Sequence, residues 1–89
     1  MTEIIWDKDF KKTYKKRIKY DNGLKSKFWD VMNLFSENTF NRNLRTHKLT
    51  GKLADYWVFS VDYNCRVIFK FLAEDKVLLV DIGSHDEVY

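Results

Sequence analysis

Five residues of the chain have side chains suited to acid/base chemistry or to holding a phosphate: His47, Lys48, Arg66, His85 and Tyr89. The chain has 2 histidines, and this side chain exchanges protons near neutral pH. The planar guanidinium of Arg66 can bind two phosphate oxygens at once. Cleavage of RNA without a metal ion needs such groups, because a base must activate the 2′-hydroxyl, an acid must protonate the leaving 5′-oxygen, and positive charge must stabilise the phosphorane.

The sequence lacks the patterns of most other catalytic and cofactor sites. Its 3 glycines are too few and too widely spaced for a phosphate-binding loop or a dinucleotide fingerprint. No Cys/His cluster has the spacing of a structural zinc site. Ser84, His85 and Asp86 are adjacent, and adjacent residues rarely converge on one reacting atom as a hydrolase triad requires. We therefore expect neither a metal nor a small-molecule cofactor.

The length and composition indicate one small intracellular domain. A chain of 89 residues fits a single domain over residues 1–89, and its 45% hydrophobic content is sufficient for one core. The single cysteine, Cys65, cannot form an internal disulfide, which suits a reducing compartment. No segment has the apolar length of a membrane span or the pattern of a signal peptide. We expect a cytoplasmic protein.

The positive charge is concentrated in the first part of the chain. Residues 1–52 carry 13 Lys/Arg against 6 Asp/Glu, whereas residues 53–89 carry 3 against 7. Clustered lysines displace the counterions condensed on nucleic acid, so this half is a candidate RNA-binding surface. A solvated helix face is the alternative. The candidate RNA-binding residues are Lys11, Lys12, Lys15, Lys16, Lys19 and Lys52.

Hydrophobic periodicity predicts an α+β fold in the order β-α-α-β-β-β. Apolar residues at helical spacing alternate with lysines in the first half, and alternating or continuous apolar runs follow a polar loop that ends near Lys52. The last three strands form an antiparallel meander in a twisted antiparallel sheet packed against a helical hairpin. The predicted strands cover residues 3–7, 56–62, 65–72 and 77–82, and the predicted helices cover residues 9–21 and 24–36.

The same patterns predict the helix ends and the core. Asp9 is the expected cap of the first helix, and Asn22 with Gly23 is the expected left-handed turn that ends it. The apolar faces of the elements should meet in one core. Its predicted members are Phe10, Tyr14, Ile18, Phe28, Met32, Phe35, Val67, Phe69, Val80 and Ile82.

A meander of this kind allows the loop with His47 and the tail with His85 to reach Arg66 at one edge of the sheet. Simpler interpretations remain open from the residues alone. Each histidine can be a solvated side chain, Arg66 can pair with Asp62 or Asp81 on the sheet face, and Tyr89 can close the core.

Three motifs in order resemble the RelE/ParE toxin superfamily, and most closely the RelE- and YafQ-like mRNA interferases of type II toxin–antitoxin modules. Residues 47–51 read His-Lys-Leu-Thr-Gly, as in a His-x-Leu-x-Gly loop. Residues 63–69 read Tyr-Asn-Cys-Arg-Val-Ile-Phe, as in the strand motif that contains an arginine. Residues 83–89 read Gly-Ser-His-Asp-Glu-Val-Tyr, as in the tail that ends on an aromatic residue.

The resemblance implies a toxin that enters the ribosomal A site and cuts mRNA, and that a cognate antitoxin neutralises. His47 matches the loop histidine of YafQ-like members, Arg66 the strand arginine of RelE-like members, His85 the tail histidine and Tyr89 the terminal aromatic residue. His85 is the expected acid/base group, with Arg66 on the scissile phosphate. His47 and Lys48 are expected to orient the RNA backbone.

The chain departs from the family pattern at several positions. Asp81 stands on the last strand where an arginine is common, and Ser60 stands near the second-strand histidine of some YafQ-like members. The lysine pair of RelE-like members is matched approximately by Lys48 and Lys52. A gyrase-inhibiting toxin of the ParE type, which shares the fold and lacks the acid/base residues, is the alternative function. A non-catalytic relative that binds an antitoxin is the third.

Overall fold

The computed structural model describes residues 1–88, the side chain of Leu53 excepted, and it confirms the α+β class. Within those residues, two longer helices precede an antiparallel meander, and a single helical turn follows it. The helices are α1 (Lys8–Arg17), α2 (Asn22–Glu37) and α3 (His85–Val88). The strands are β1 (Glu3–Trp6), β2 (His47–Lys48), β3 (Trp57–Asp62), β4 (Cys65–Ala73) and β5 (Lys76–Gly83).

The sheet is mixed, which corrects the expectation of an antiparallel sheet throughout. Its strand order is β1-β5-β4-β3-β2, and β3, β4 and β5 form the predicted antiparallel meander. β1, however, pairs with Lys76–Leu79 of β5 in parallel. Parallel neighbours need a crossover connection, and the helical hairpin provides part of it. Because the pairing with β1 stops at Leu79, the second half of β5 has α1 beside it instead of a strand.

Both helices begin earlier than predicted, and aspartates cap them. Asp7, and not Asp9, caps α1, because its carboxylate accepts a hydrogen bond from the Asp9 amide at 3.2 Å. Asp21 caps α2 by accepting from the amide of Leu24 at 3.1 Å. Asn22 and Gly23 therefore lie in the first turn of α2 and do not form a left-handed turn. No helix within residues 1–88 is long and apolar enough to cross a membrane.

The helical hairpin closes one face of the sheet. Nine of the ten predicted core residues belong to this core or pack against it, with Tyr14 only partly buried. Val80 is the exception, because β5 has an irregularity there: Leu79 pairs with Phe69 and Asp81 pairs with Ile68, which leaves Val80 between them and half-buried. Val77 and Leu79 are the fully buried residues of β5.

A smaller apolar cluster lies on the opposite face of the sheet. Val58 is wholly buried there, together with Leu49 and Val88. Leu49 comes from the segment predicted to be a loop, which contains β2 and two short 3₁₀ turns (Arg42–Leu44 and Gly51–Leu53). Val88 comes from α3, a helical turn that the sequence patterns did not predict. This second cluster holds the loop and the tail on the same face.

Candidate active site

A cleft of about 310 Å³ opens on the face of the sheet opposite the α1–α2 hairpin. Its lining residues come from the loop before β2, from the edge strand, from the two central strands and from α3. They are Arg45, His47, Ser60, Arg66 and His85. We call this the histidine cleft. The structure thus brings together three predicted site residues that are far apart in the sequence.

Strand register explains why these side chains share a face. Ser60 lies directly opposite Arg66 in the β3–β4 pair, and opposite residues of an antiparallel pair project to the same side. His47 lies opposite Val58, which is two residues from Ser60 and therefore on that same side. Gly83, the last residue of β5, lies opposite Arg66, so α3 starts next to the arginine.

Arg66 is largely buried, with 8% of its surface exposed. Its Nη1 group donates a hydrogen bond to the backbone carbonyl of Asp62, across the turn between β3 and β4. Neither Asp62 nor Asp81 forms a carboxylate salt bridge with Arg66 within residues 1–88. The guanidinium is therefore oriented by a neutral backbone group, and no carboxylate side chain within residues 1–88 forms a salt bridge with it.

Asp81 lies in the second half of β5, next to α1, and is not among the residues that line the histidine cleft. One of its carboxylate oxygens accepts hydrogen bonds from the Thr13 hydroxyl at 3.2 Å and from the Ile82 amide at 2.8 Å. The carboxylate that departs from the family pattern is therefore used to attach α1 to β5.

The ring of His47 is oriented by the backbone of Arg45. The Nδ1 atom lies 2.8 Å from the Arg45 carbonyl oxygen. A carbonyl only accepts hydrogen bonds, so Nδ1 carries the proton, and in the neutral ring Nε2 is the basic nitrogen.

Arg45 itself has a φ of 54°, in the left-handed region that residues with a Cβ rarely adopt. Such backbone strain is often concentrated at functional sites.

His85 is the first residue of α3 and its side chain is 55% exposed. Its Nδ1 atom lies 3.8 Å from a carboxylate oxygen of Asp86. His85 reaches the cleft because Gly83, two residues before it in the sequence, lies opposite Arg66.

Lys48 is a predicted site residue that does not line the histidine cleft. Lys48 lies opposite Trp57, so the alternation of β2 directs it to the other side of the sheet from His47. Tyr89 lies outside the described residues. Among those residues, no group of three or more His, Cys, Asp and Glu side chains is arranged to hold a metal ion.

Comparison with known families decides the assignment of the chain. Residues 2–89 match the family model for the bacterial toxin of type II toxin-antitoxin system, YafQ. The chain belongs to the YafQ family of bacterial toxins. The expected likeness to YafQ-like toxins is confirmed by this match.

Solved structures with the same fold include proteins from three bacteria. The conserved hypothetical protein HP0892 of Helicobacter pylori is 28% identical to this YafQ-family toxin, with a TM-score of 0.63 and coverage of 100% of both chains. A chain of the DinJ–YafQ complex of E. coli is 22% identical, with a TM-score of 0.69 and coverage of 100% of this chain and 99% of that one. A chain of the YoeB–YefM toxin–antitoxin complex of Staphylococcus aureus is 14% identical, with a TM-score of 0.73 and coverage of 96% and 98%. Among curated proteins, none matches the chain significantly.

The candidate RNA-binding lysines of this YafQ-family toxin lie mainly on α1. Lys11, Lys12, Lys15 and Lys16 are exposed along this helix. Lys19 lies beyond the end of α1, and its Nζ atom is 5.5 Å from the centre of the Tyr20 ring. Lys52 is exposed in the second 3₁₀ turn, away from α1 in the sequence. Four of the six candidate lysines thus share α1, Lys19 follows its end, and Lys52 lies apart from them in the sequence.

Sequence reasoning missed two residues of the cleft, Arg45 and Ser60. Ser60 shares a face of β3 with Val58, and the pairing of β3 with β4 was sufficient to predict Ser60 beside Arg66. Arg45 carried no such signal, because its position depends on a left-handed backbone conformation in an irregular segment.

Proposed function

We propose that this toxin is a ribosome-dependent mRNA endonuclease of the cytoplasm and that a cognate antitoxin blocks it. One observation carries the proposal: both histidines of the chain line a single cleft with two arginines. Two histidines for proton transfer, beside two arginines for the developing charge, are what phosphoryl transfer at RNA requires. Membership of the YafQ family supports the toxin role.

The reaction is a transfer of the phosphoryl group to the neighbouring 2′-oxygen. His47 acts as the base: its Nδ1–H donates to the Arg45 carbonyl, so the neutral ring takes up the 2′-hydroxyl proton at Nε2. The 2′-oxygen attacks phosphorus and the bond to the 5′-oxygen breaks. His85 donates a proton to that leaving oxygen. The products are a 2′,3′-cyclic phosphate and a 5′-hydroxyl.

The arginines stabilise the charge that develops on the phosphorane. Arg66 is held by the Asp62 carbonyl through one N–H group, and a guanidinium has five donors, so others are available for phosphate oxygens. Because the Arg66 side chain is largely withdrawn from water, its charge acts more strongly than an exposed one. Arg45 supplies a second positive charge at the same cleft.

The remaining candidate residues contact the RNA substrate or the ribosome. Lys48 contributes positive charge outside the cleft, and Tyr89 stacks on a base or orients the phosphate. Ribosomal RNA binds the exposed lysines of α1, with contributions from Lys19 and Lys52, through counterion release.

A cognate antitoxin is the expected protein partner. YafQ of E. coli occurs in a complex with DinJ, and YoeB of S. aureus occurs in a complex with YefM. We infer that this chain likewise forms a complex with an antitoxin encoded beside it.

The test is cleavage of a defined mRNA on purified ribosomes. His85→Ala should lower the cleavage rate by about 10²–10⁴-fold, the usual size of a general acid/base contribution. Arg66→Ala should lower it by roughly 10²–10³-fold through lost electrostatic stabilisation. Asn33→Ala, an exposed polar residue on α2, is the matched control and should cut like wild type.

Circular dichroism and antitoxin binding establish that each variant is folded. If folded wild-type protein binds its antitoxin and cuts no mRNA, the endonuclease proposal is wrong, and a gyrase-inhibiting or non-catalytic role takes its place. If folded His85→Ala cuts as fast as wild type, the assignment of the acid is wrong.

A further inference from the structure

The tail helix α3 is held in place by residues that no part of the proposed reaction uses. It has four residues, His85–Val88, and a helix of this length is not stable by itself in water. Its first residue, His85, lines the histidine cleft. Whatever fixes α3 therefore also fixes the position of the proposed acid.

One end of α3 is closed by a capping box. The carboxylate of Glu87 accepts a hydrogen bond from the Ser84 amide at 2.8 Å, and the Ser84 hydroxyl accepts one from the Glu87 amide at 3.2 Å. The other end packs closely on the sheet, because a Cβ atom added to Gly83 would lie 3.2 Å from a methyl group of Val88. His85 lies between these two attachments.

Glu87 also connects α3 to α1. The two terminal nitrogens of Arg17 each donate to a different oxygen of Glu87, at 2.7 and 2.7 Å. This bidentate geometry restricts the orientation of both side chains more than a single contact does. The hydrogen bond from Arg17 is the main reason that the pKa of Glu87 is lowered to about 2, so the carboxylate is charged throughout the physiological range.

The Arg17–Glu87 pair is too exposed to contribute much to global stability, since the two side chains are 38% and 51% exposed. We propose that Arg17 and Glu87 are positioning residues, which hold α3 so that His85 stays in the histidine cleft. Arg17 is the last residue of α1, the helix that carries the proposed ribosome-binding lysines. The pair therefore connects α1, with its proposed RNA-binding lysines, to α3, which carries the proposed acid His85.

The inference rests on the proposed endonuclease function, and Arg17→Met tests it against Lys12→Met. Both changes remove one positive charge from α1, but Lys12 forms no salt bridge among the described residues. Arg17→Met should lower kcat for mRNA cleavage on ribosomes by about 10- to 100-fold, the size expected when a catalytic group is misplaced slightly. Its KM for programmed ribosomes should stay near wild type. Lys12→Met should instead raise KM and leave kcat unchanged.

A double-mutant cycle tests whether the two residues act as one unit. Glu87→Gln keeps an oxygen for the Ser84 amide but loses the charge that Arg17 binds. Glu87→Gln should lower kcat, and adding Arg17→Met to it should cause little further loss. Arg17→Lys, which retains the charge without the two parallel hydrogen bonds, should fall between wild type and Arg17→Met. Additive losses in the double variant would overturn the proposal.

Proton NMR of the 2 histidine rings separates this inference from the proposed function, because it needs no cleavage. In Arg17→Met the ring signal of His85 should shift or broaden, while that of His47, which the Arg45 carbonyl holds, should not move. An unchanged His85 signal overturns the positioning role. If wild type cuts no mRNA but the His85 signal still depends on Arg17, only the proposed function fails.

Discussion

The two faces of the sheet differ in how completely they are covered. Under α1 and α2, five phenylalanine rings are wholly withdrawn from solvent: Phe10, Phe28, Phe35, Phe59 and Phe69. On the opposite face, a small cluster around Val58 occupies one area, and the histidine cleft occupies another. Side chains alternate along β3 and β4, so the same strands supply both faces. One face can stabilise the fold while the other keeps charged groups accessible to a substrate.

Phe69 and Ile68, which are neighbours on β4, test this difference between the two faces of the sheet. Phe69 is wholly buried under the helices, whereas Ile68 is half-buried on the opposite face. Phe69→Ala should lower the free energy of unfolding by about 3–5 kcal/mol, because it removes a buried ring and leaves a cavity. Ile68→Ala should lower it by roughly 1–2 kcal/mol, since less apolar area is lost. Urea denaturation followed by fluorescence or circular dichroism measures both values.

Equal losses from the two substitutions would contradict this difference, because the two faces would then contribute equally to stability. A variant of Phe69 that unfolds at the wild-type midpoint would contradict the assignment of the core.

The α1 lysines should affect ribosome binding in a different way from the cleft residues. Charge reversal at Lys11 and Lys15 should weaken binding to ribosomes. It should also reduce the slope of log affinity against log salt concentration by about one for each phosphate that is no longer neutralised. Lys25→Glu on α2 is the matched control, since Lys25 is exposed and outside the proposed RNA-binding set. Binding that stays unchanged at every salt concentration would favour a solvated helix face.

Cys65, on the helix-covered face, should make the free energy of unfolding depend on pH. Burial is the main reason that the pKa of its thiol is raised from 9.0 to about 11. Because the folded state holds this proton more tightly than the unfolded state, the stability it contributes is complete below pH 9 and is lost as the pH rises to about 11. Denaturation of wild type and Cys65→Ala across this range should show a steeper decline for wild type. Parallel curves would contradict this contribution of the Cys65 thiol.

Much of the fold was predictable because the spacing of apolar residues along a strand or helix follows directly from which face is buried. β3 with its inward Phe59 and Val61 is an example. The errors lie where tertiary pairing decides. Asp7 and Asp9 are both suitable caps, and the end of β1 at Trp6 selects Asp7. Val80 fits the apolar pattern, but the irregular pairing of β5 with β4 moves it out of the core.

The site was predictable in part for the same reason. The order of the strands allowed His47, Arg66 and His85 to meet, and the structure brings them together. Arg45 depends on a backbone conformation with a positive φ, for which an arginine gives no signal in the sequence. The face of Lys48 depends on the register of a two-residue strand inside a segment that reads as a loop.

We propose that the histidine cleft cuts RNA through the 2′-hydroxyl of the substrate. The most direct measurement replaces that hydroxyl in the substrate and leaves the protein unchanged. An mRNA with a single 2′-deoxynucleotide on the 5′ side of the cleavage position is compared on ribosomes with the unmodified mRNA. We predict that wild-type toxin cuts the unmodified mRNA to give a 2′,3′-cyclic phosphate and leaves the modified one intact at that position. Cleavage of both mRNAs at the same bond and at equal rates would contradict the claim.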